Sequence, residues 1–310
     1  MKNFVSIGEC MLELSSVKSD LYKIGFAGDT LNTAWYARAA LSSAWSVSFA
    51  TKFGKDKMSE RAVAFLRKNN IATDRIEYHP KRMMGLYTIN LNEGERSFSY
   101  WRDTSAARTL ADSTVSLEKM FLKADVIHFS GITLAILPRS ARKIFINVLK
   151  VLKTRGVTIS FDPNIRAQMW KNMEEAQKEI TRAAKVSTIV LPSFDDEKEC
   201  FADKSPAVTL KRYEKLGVST IVVKNRGHEI LASENSKITV YDQTFPKKAV
   251  DTTGAGDSFN GIFLALILSG LELKDAIIAA HQVSSKVIKH KGALIPMQTA
   301  QKIMTSVCEM

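Results

Sequence analysis

Three cysteines in 310 residues, Cys10, Cys200 and Cys308, are too few and too far apart for a disulfide framework, and no CxxC pair or partnered histidine suggests zinc. No apolar run approaches the roughly 20 residues that cross a bilayer. The longest, IFLALILSG from Ile262, suits a core helix. The N-terminal MKNFVSIGECMLEL enters a strand-like run at once, without the basic, apolar and small-residue segments of a secretory signal. A cytoplasmic protein with free thiols is expected, with no membrane partner.

Also absent are GxxxxGK[ST] and GxGxxG, which removes a Walker A loop and weakens a nicotinamide enzyme. Internal repeats and low-complexity linkers are missing too. The 44 Lys and Arg exceed the 32 Asp and Glu to give a net charge of +12, but they are scattered among acids on helical stretches, with no dense arm, zinc finger or RNP-like strand. Nucleic acid is therefore not an expected partner, whereas a basic surface favours anionic small molecules.

What is present is an alternation of strand and helix in a chain that is 45% hydrophobic. FVSIGE (4–9) reads as a buried strand and GDTLNTAWYARAALS (28–42) as a helix entered through Gly28 and Asp29. A strand and turn in SVSFATKFGKD and a helix in KMSERAVAFLRKN follow. Residues 125–132, VTISFDPN, 187–193, TIVV and KITVYD read as further strands. Residues 138–156, 174–185 and 209–217 read as helices, with Gly156 and Gly217 as stops. Residues 83–102, MMGLYTINLNEGERSFSYWR, differ: two alternating segments around NEGE signal a hairpin able to join a small second sheet. Repeated βα units predict a mainly parallel open sheet that binds ligands outside the carboxyl ends of its strands.

DTTGAGDSFNG (251–261), just before the apolar helix, concentrates the chemistry. Small residues at Gly254, Ala255 and Gly256 let backbone N–H groups converge on an anion at the positive end of a helix. Asp257 reads equally as an N-cap and as a base for phosphoryl transfer to an alcohol, with the amides of Ala255, Gly256 and Asp257 meeting the charge. The local residues leave both readings open. His79, His290 and His128 read as turn, surface or strand residues, Trp35 and Trp45 as packing, and the methionines as gap fillers.

Several separated motifs in order give the chain its resemblance to the ribokinase-like, PfkB-type carbohydrate kinases: AGDTLN (27–32), DPNIR and DTTGAGDSFNG. Nearly the whole chain is covered, and IGECMLEL, GLYTI, SFSYWRDTSAA, FSGITLAIL and FDPNIRAQMW bring it closest to the 2-keto-3-deoxygluconate kinases of that family. The resemblance implies one catalytic domain over 1–310, an α/β fold with a mainly parallel central sheet, helices on both faces, and a small β lid from about 10–27 and 83–102. It implies ATP-dependent phosphorylation of 2-dehydro-3-deoxy-D-gluconate at its terminal hydroxyl, with Mg2+ and with room for a monovalent cation near Asp251, Thr253 and Ala293. A homodimer through the lid, or a larger assembly, is the implied quaternary state.

Residue by residue, Asp257 matches the family's general base and Gly254, Ala255 and Gly256 its anion hole. Gly28, Asp29 and Asn32 match sugar-hydroxyl positions, and Tyr87, Tyr100, Arg102 and Arg166 match substrate-contacting ones. A sugar carboxylate calls for a guanidinium, and the alternation places Arg102 on the same side as Tyr100. On the nucleotide side, Ser193 stands where the family often has asparagine, and Glu197 is the candidate to organise magnesium-bound water. Ser193 with Asp196 also reads as a plain helix cap. Lys224, Arg226 and Gly227 resemble a turn near the ATP phosphates, of which Gly227 is the stronger expectation, while His281, Gln282 and Ser285 border the adenine with Gly292 and Ala293 opposite. Competing expectations are a fructokinase- or ribokinase-type neutral-sugar kinase and a non-catalytic sugar-binding protein.

Overall fold

The computed structural model describes residues 1–18, 21–92, 95–242 and 249–308. In chain order, β1 (Lys2–Ile7) leads to β2 (Met11–Lys18), β3 (Leu21–Ala27) and α1 (Asp29–Ala40), then β4 (Trp45–Phe53), α2 (Lys57–Lys68) and β5 (Ile76–Tyr78). Next come β6 (Gly85–Asn92), β7 (Glu95–Trp101), α3 (Thr114–Met120), β8 (Val126–Ser130), α4 (Gly131–Ile136), α5 (Arg139–Thr154) and β9 (Thr158–Asp162). The chain continues through α6 (Met173–Val186), β10 (Ile189–Val190), α7 (Phe194–Phe201), α8 (Pro206–Glu214), β11 (Thr220–Val223), β12 (Ile230–Glu234) and β13 (Lys237–Tyr241). Helices α9 (Ala255–Leu268), α10 (Leu273–Val287) and α11 (Met297–Cys308) close it.

The large sheet has the order β13-β12-β11-β10-β9-β8-β1-β4-β5. Pairing is parallel from β11 to β5 and antiparallel only at the β11-β12-β13 edge. Strand order reverses between β1 and β8, so the crevice above their carboxyl ends is where such a sheet takes ligands. Period-two alternation sends Phe4 into the core under α1, α9 and α10, and Val5 and Ile7 into the opposite core under α3 to α8. Helices therefore cover both faces, in the ribokinase-like α/β arrangement.

A smaller sheet, β3-β2-β6-β7, stands on the large one. It is built from the two segments expected to leave the alternation. The NEGE turn falls at residues 93 and 94, outside the described residues, but β6 and β7 pair antiparallel from Leu86↔Trp101 to Asn92↔Glu95. Exposed apolar side chains gather on this sheet: Leu21, Tyr22, Ile24, Phe98, Tyr100 and Trp101.

Two boundaries depart from the sequence reading. The strand expected through residue 132 stops at Ser130, because Ser130 and Thr133 form a reciprocal capping box that starts α4 at Gly131. The strand expected over 187–193 shrinks to Ile189–Val190. Among the described residues no helix is long and apolar enough to cross a membrane. Cys10 and Cys200 are buried free thiols.

Helices α1 and α9 cross closely because Gly261 has no side chain. A Cβ there would lie 2.5 Å from Thr33 O, 2.7 Å from Tyr36 Cβ and 2.9 Å from Ala37 N. An interior helical Gly→Ala change ordinarily gains about 1 kcal/mol. Here overpacking reverses the sign, and Gly261→Ala is expected to lose about 1–3 kcal/mol in urea denaturation. A gain would show that the two helices part freely.

Candidate active site

At the carboxyl ends of the parallel strands lies a cavity of about 700 Å³. Met11, Tyr87, Phe98 and Tyr100 of the small sheet roof it; Gly28, Asp29 and Asn32 come from the start of α1, and Asp162, Asn164 and Arg166 from the end of β9. Ser193, Asp195 and Asp196 at the start of α7, Lys224 and Arg226 after β11, residues 252–257, and His281 with Ser284 on α10 complete it. The roof is an aromatic tier, with Tyr87 on Tyr100 at 5.7 Å and Phe98 on Tyr100 at 6.3 Å between centroids. The Tyr87 hydroxyl is spent on Glu13.

Gly254 caps α9 at φ +76°, a conformation that favours glycine, and Ala293 packs so close that a Cβ would lie 2.7 Å from its side chain. No side chain caps the helix. Asp257, its third residue, instead accepts a hydrogen bond from Asn32 Nδ2 at 2.8 Å across 225 residues of chain. The N-cap reading of Asp257 is thus corrected: its carboxylate faces the cavity. The expected amide set is corrected as well, since Ala255 N–H already donates to Thr252 O at 3.2 Å. Gly256 and Asp257 supply the amides that helix geometry leaves open. Asp251 holds the approach to the helix by accepting from Thr253 N at 3.0 Å and Gly292 N at 2.6 Å.

The carboxylates are crowded. Burial, then the Asp29 charge, pushes the Asp257 carboxyl up to about 7; Asp162 adds to the rise, while the Asn32 hydrogen bond and the Lys224 charge oppose it. Asp29 is also raised, chiefly by burial, although its carboxylate accepts from Thr30 N and from Asn164 Nδ2, both at 2.9 Å. Two acids facing each other cannot both ionise at ordinary cost, so protons leave them as a coupled pair.

Behind Asp257 a buried cluster forms around Asp162. Asn260 Nδ2 donates to Asp162 Oδ2 at 2.6 Å, and Lys224 Nζ reaches Asp162 Oδ2 at 3.3 Å and Asn260 Oδ1 at 3.0 Å. Asp196 accepts from Ile165 N at 3.1 Å and pairs with Arg166 at 3.5 Å; burial raises its carboxyl and Arg166 lowers it. Sequence reading missed Asp162, Asn164, Asp196 and Asn260 as site residues. The signal was available in part, because Asp162 and Asn164 belong to the same DPNIR segment as Arg166.

Among the described residues that line the cavity, eight expected ones do not occur: Glu197, Gly227, Ser285, Gly292, Arg102, Asp251, Gln282 and Ala293. Glu197 is fully buried, accepting from Tyr213 OH at 2.8 Å and paired with Arg212. As the fourth residue of α7 it points into the core, and Asp196, one position earlier, faces the cavity; the magnesium-water expectation for Glu197 is corrected on that ground. Gly227 lies in an exposed turn at φ +75°, away from the cradle. Ser285 sits behind His281, its Oγ 3.3 Å from Nε2. Gly292 offers its amide to Asp251. Arg102 does share a side with Tyr100, its guanidinium carbon 5.9 Å over the ring, but the buried Glu9 carboxylate, which would otherwise be an uncompensated charge, holds it. Ser193 lines the cavity without making a cap bond, which corrects the Ser193–Asp196 cap. Arg226 lies at the rim, largely exposed, 3.7 Å from Asp195.

The pfkB family carbohydrate kinase pattern matches residues 1–300. The chain is 36% identical over 304 residues to the 2-dehydro-3-deoxygluconokinase of Dickeya dadantii strain 3937, covering 96% of this chain and 98% of that one. It is 35% identical over 302 residues to the enzyme of the same name from Haemophilus influenzae, covering 95% and 96%. Among solved structures, a 2-dehydro-3-deoxygluconokinase from Thermotoga maritima superposes with a TM-score of 0.82 at 23% identity, over 98% of this chain and all of that one. A putative ribokinase II from E. coli in complex with ATP and Mg2+ gives 0.83 at 19% identity, over 98% and 99%. With the family pattern spanning the chain and relatives above one-third identity along its length, this protein belongs to the pfkB family of carbohydrate kinases.

Proposed function

We propose that this chain phosphorylates 2-dehydro-3-deoxy-D-gluconate at its terminal hydroxyl with ATP, giving the 6-phosphate and ADP. The observation that carries the chemistry is the uncapped start of α9, where Asp257 is held by Asn32 beside open amides. Poised near neutrality, Asp257 takes the hydroxyl proton as the oxygen attacks, and the amides of Gly256 and Asp257 meet charge on the transferring group. Asp29 accepts from a sugar hydroxyl, with Gly28 and Asn32 beside it. Support for the substrate comes from the relatives at 33–36% identity named for this activity.

We assign the substrate carboxylate to Arg166, which is about half exposed at the cavity wall. Arg102, engaged by Glu9, supports Tyr100 from behind. His281 and Ser284 on α10 and the Arg226 rim form the nucleotide side. Mg2+ fits this donor set as an ion carried mainly by phosphate and water: among the described residues no group of three or more His, Cys, Asp or Glu could hold a metal, while Asp196 and Asp195 face the cavity. When bound, the ion neutralises phosphate charge. We read the whole chain as one catalytic domain with the small sheet as its lid, working in the cytoplasm, and its exposed aromatic face as the surface on which two copies pair. Sedimentation of the wild type as a dimer and of Trp101→Arg as a monomer is the expected outcome.

Replacing Asp257 with Asn is expected to lower kcat by about 10²–10⁴-fold in a coupled ADP assay; near wild-type turnover would sink the base assignment. Because a base works only when deprotonated, kcat/KM should fall as pH drops through about 7. Asp29→Asn removes a repelling negative charge and should move that limb to lower pH, whatever it does to KM. Arg166→Ala should raise KM for the keto acid by about tenfold or more, the worth of a charged hydrogen bond. Fructose and ribose serve as controls: equal loss on all three substrates would contradict the carboxylate role, and a wild-type preference for a neutral sugar would overturn the substrate.

A further inference from the structure

We propose that Lys224 is a catalytic cation of the transfer step and that Asp162 and Asn260 are the positioning pair that keeps its ammonium at the start of α9; the inference rests on the kinase reading above. Three elements are needed to make this arrangement. Lys224 follows β11, Asp162 ends β9, and Asn260 lies one helical turn beyond Asp257 on α9.

The ammonium is where an anion-binding site needs it. Lys224 Nζ lies 3.7 Å from the point a Cβ on Gly256 would occupy, so it stands directly against the cradle. The start of a helix already carries positive potential, and a second positive group there is unfavourable unless an anion is meant to sit between them. Asp162 offsets that repulsion but does not consume the lysine. Its Oδ2 takes the shorter bond, 2.6 Å, from Asn260, its Oδ1 accepts from Asn164 N at 3.1 Å, and the lysine contact is the longest at 3.3 Å. An ammonium has three donors, and the two contacts with Asp162 and Asn260 leave one for the cavity that Lys224 lines.

A structural ion pair would be built differently. Asp162 and Asn260 are 4% and 1% exposed and bonded to each other, which fixes both side chains in one place. The lysine reaches them from the cavity at the end of a flexible four-carbon stem, and a short swing carries Nζ from Asp162 to a phosphoryl oxygen on the Gly256 side. No bond is made or broken by Lys224. It answers charge that grows on the transferring group while Asp257 takes the proton.

The test uses the full chain with Lys224→Met, Lys224→Arg and Asp162→Asn, the last nearly isosteric, each checked by a thermal melt. Lys224→Met should lower kcat by about 10²–10³-fold, as loss of a preorganised charge donor does, with KM for the sugar acid within about twofold of wild type. Lys224→Arg should recover part of the rate. Asp162→Asn should lower kcat about tenfold. The groups bearing on Asp257 are Asp29, Asn32, Asp162 and Lys224, so the acid limb of kcat/KM should move up in Lys224→Met and down in Asp162→Asn. Opposite shifts with intact melts are not expected of a mere packing pair. If Lys224→Met keeps kcat within about threefold while Asp257→Asn is inactive, or if its only effect is a lower melting temperature, the inference is wrong. Should the wild type phosphorylate no sugar at all, the kinase reading fails and the inference that rests on it falls too, an outcome distinct from an active wild type whose Lys224→Met variant keeps its rate.

Discussion

The hydrogen bond from Asn32 to Asp257 is the point on which the geometry turns. A carboxylate in the first turn of a helix normally folds back to satisfy the amides beneath it. In this protein α1 presents an amide donor at 2.8 Å on the other side, and Asp257 faces out over the cavity. The open amides and the free carboxylate are therefore one feature, produced by one contact between helices that meet only because Gly261 lets them cross closely. Asp29, Asn32 and Tyr36 fall at i, i+3 and i+7 on α1, a single helical face. From it Asp29 lines the cavity, Asn32 donates to Asp257, and Tyr36 OH donates to Ala293 O at 2.7 Å, fixing the residue that walls Gly254.

The second constraint is the turn after β9. Asp162 anchors Asn260 and Lys224, Asn164 donates to Asp29, and the Ile165 amide donates to Asp196. Three residues thus bear on the cradle, on Asp29 and on the start of α7. A strand end can do this because β9 is central in a parallel sheet, with neighbours β8 and β10 locking its register. Its next residues emerge at a fixed height beside α1, α7 and α9. A loop on a free edge would have no such bearings.

Much of the fold was legible because local and global signals agree. β-branched runs at β9 and β11 and glycine stops at Gly156 and Gly217, both with positive φ, mark units whose ends need little tertiary help. Among the elements that were missed, β5 has three residues, and α4 starts on the residue that follows β8. In the site, composition around residues 254–257 pointed to an anion cradle, but the sequence left Asp257 divided between cap and base. Only Asn32, 225 positions away, takes Asp257 out of the cap reading. The same limit explains Glu197 and Arg102. Whether Asp196 or Glu197 faces the cavity depends on the rotation of α7 about its axis, and Arg102 is claimed by Glu9, 93 residues earlier.

Ion-pair geometry separates what the cavity uses from what holds it up. At the cavity the pairs are long: Lys224–Asp162 at 3.3 Å, Arg166–Asp196 at 3.5 Å and Arg226–Asp195 at 3.7 Å. Behind it, Arg212 meets Asp203 at 2.8 Å and stacks 3.7 Å over Phe201, with Glu197 and Tyr213 completing a packed network that fixes α7. Charged N–H···O bonds are strongest near 2.7–2.9 Å, so the inner network is bound for keeps and the outer pairs hold their cations at low cost to release. A cation kept at 3.3–3.7 Å from a carboxylate is held beside the cavity without a short, strong ion pair. Arg102, clasped by a buried Glu9 and backed by Met169, belongs by the same measure with the supporting set. The guanidinium expected first from the sequence is held beneath the roof, and Arg166 is the more loosely paired of the two.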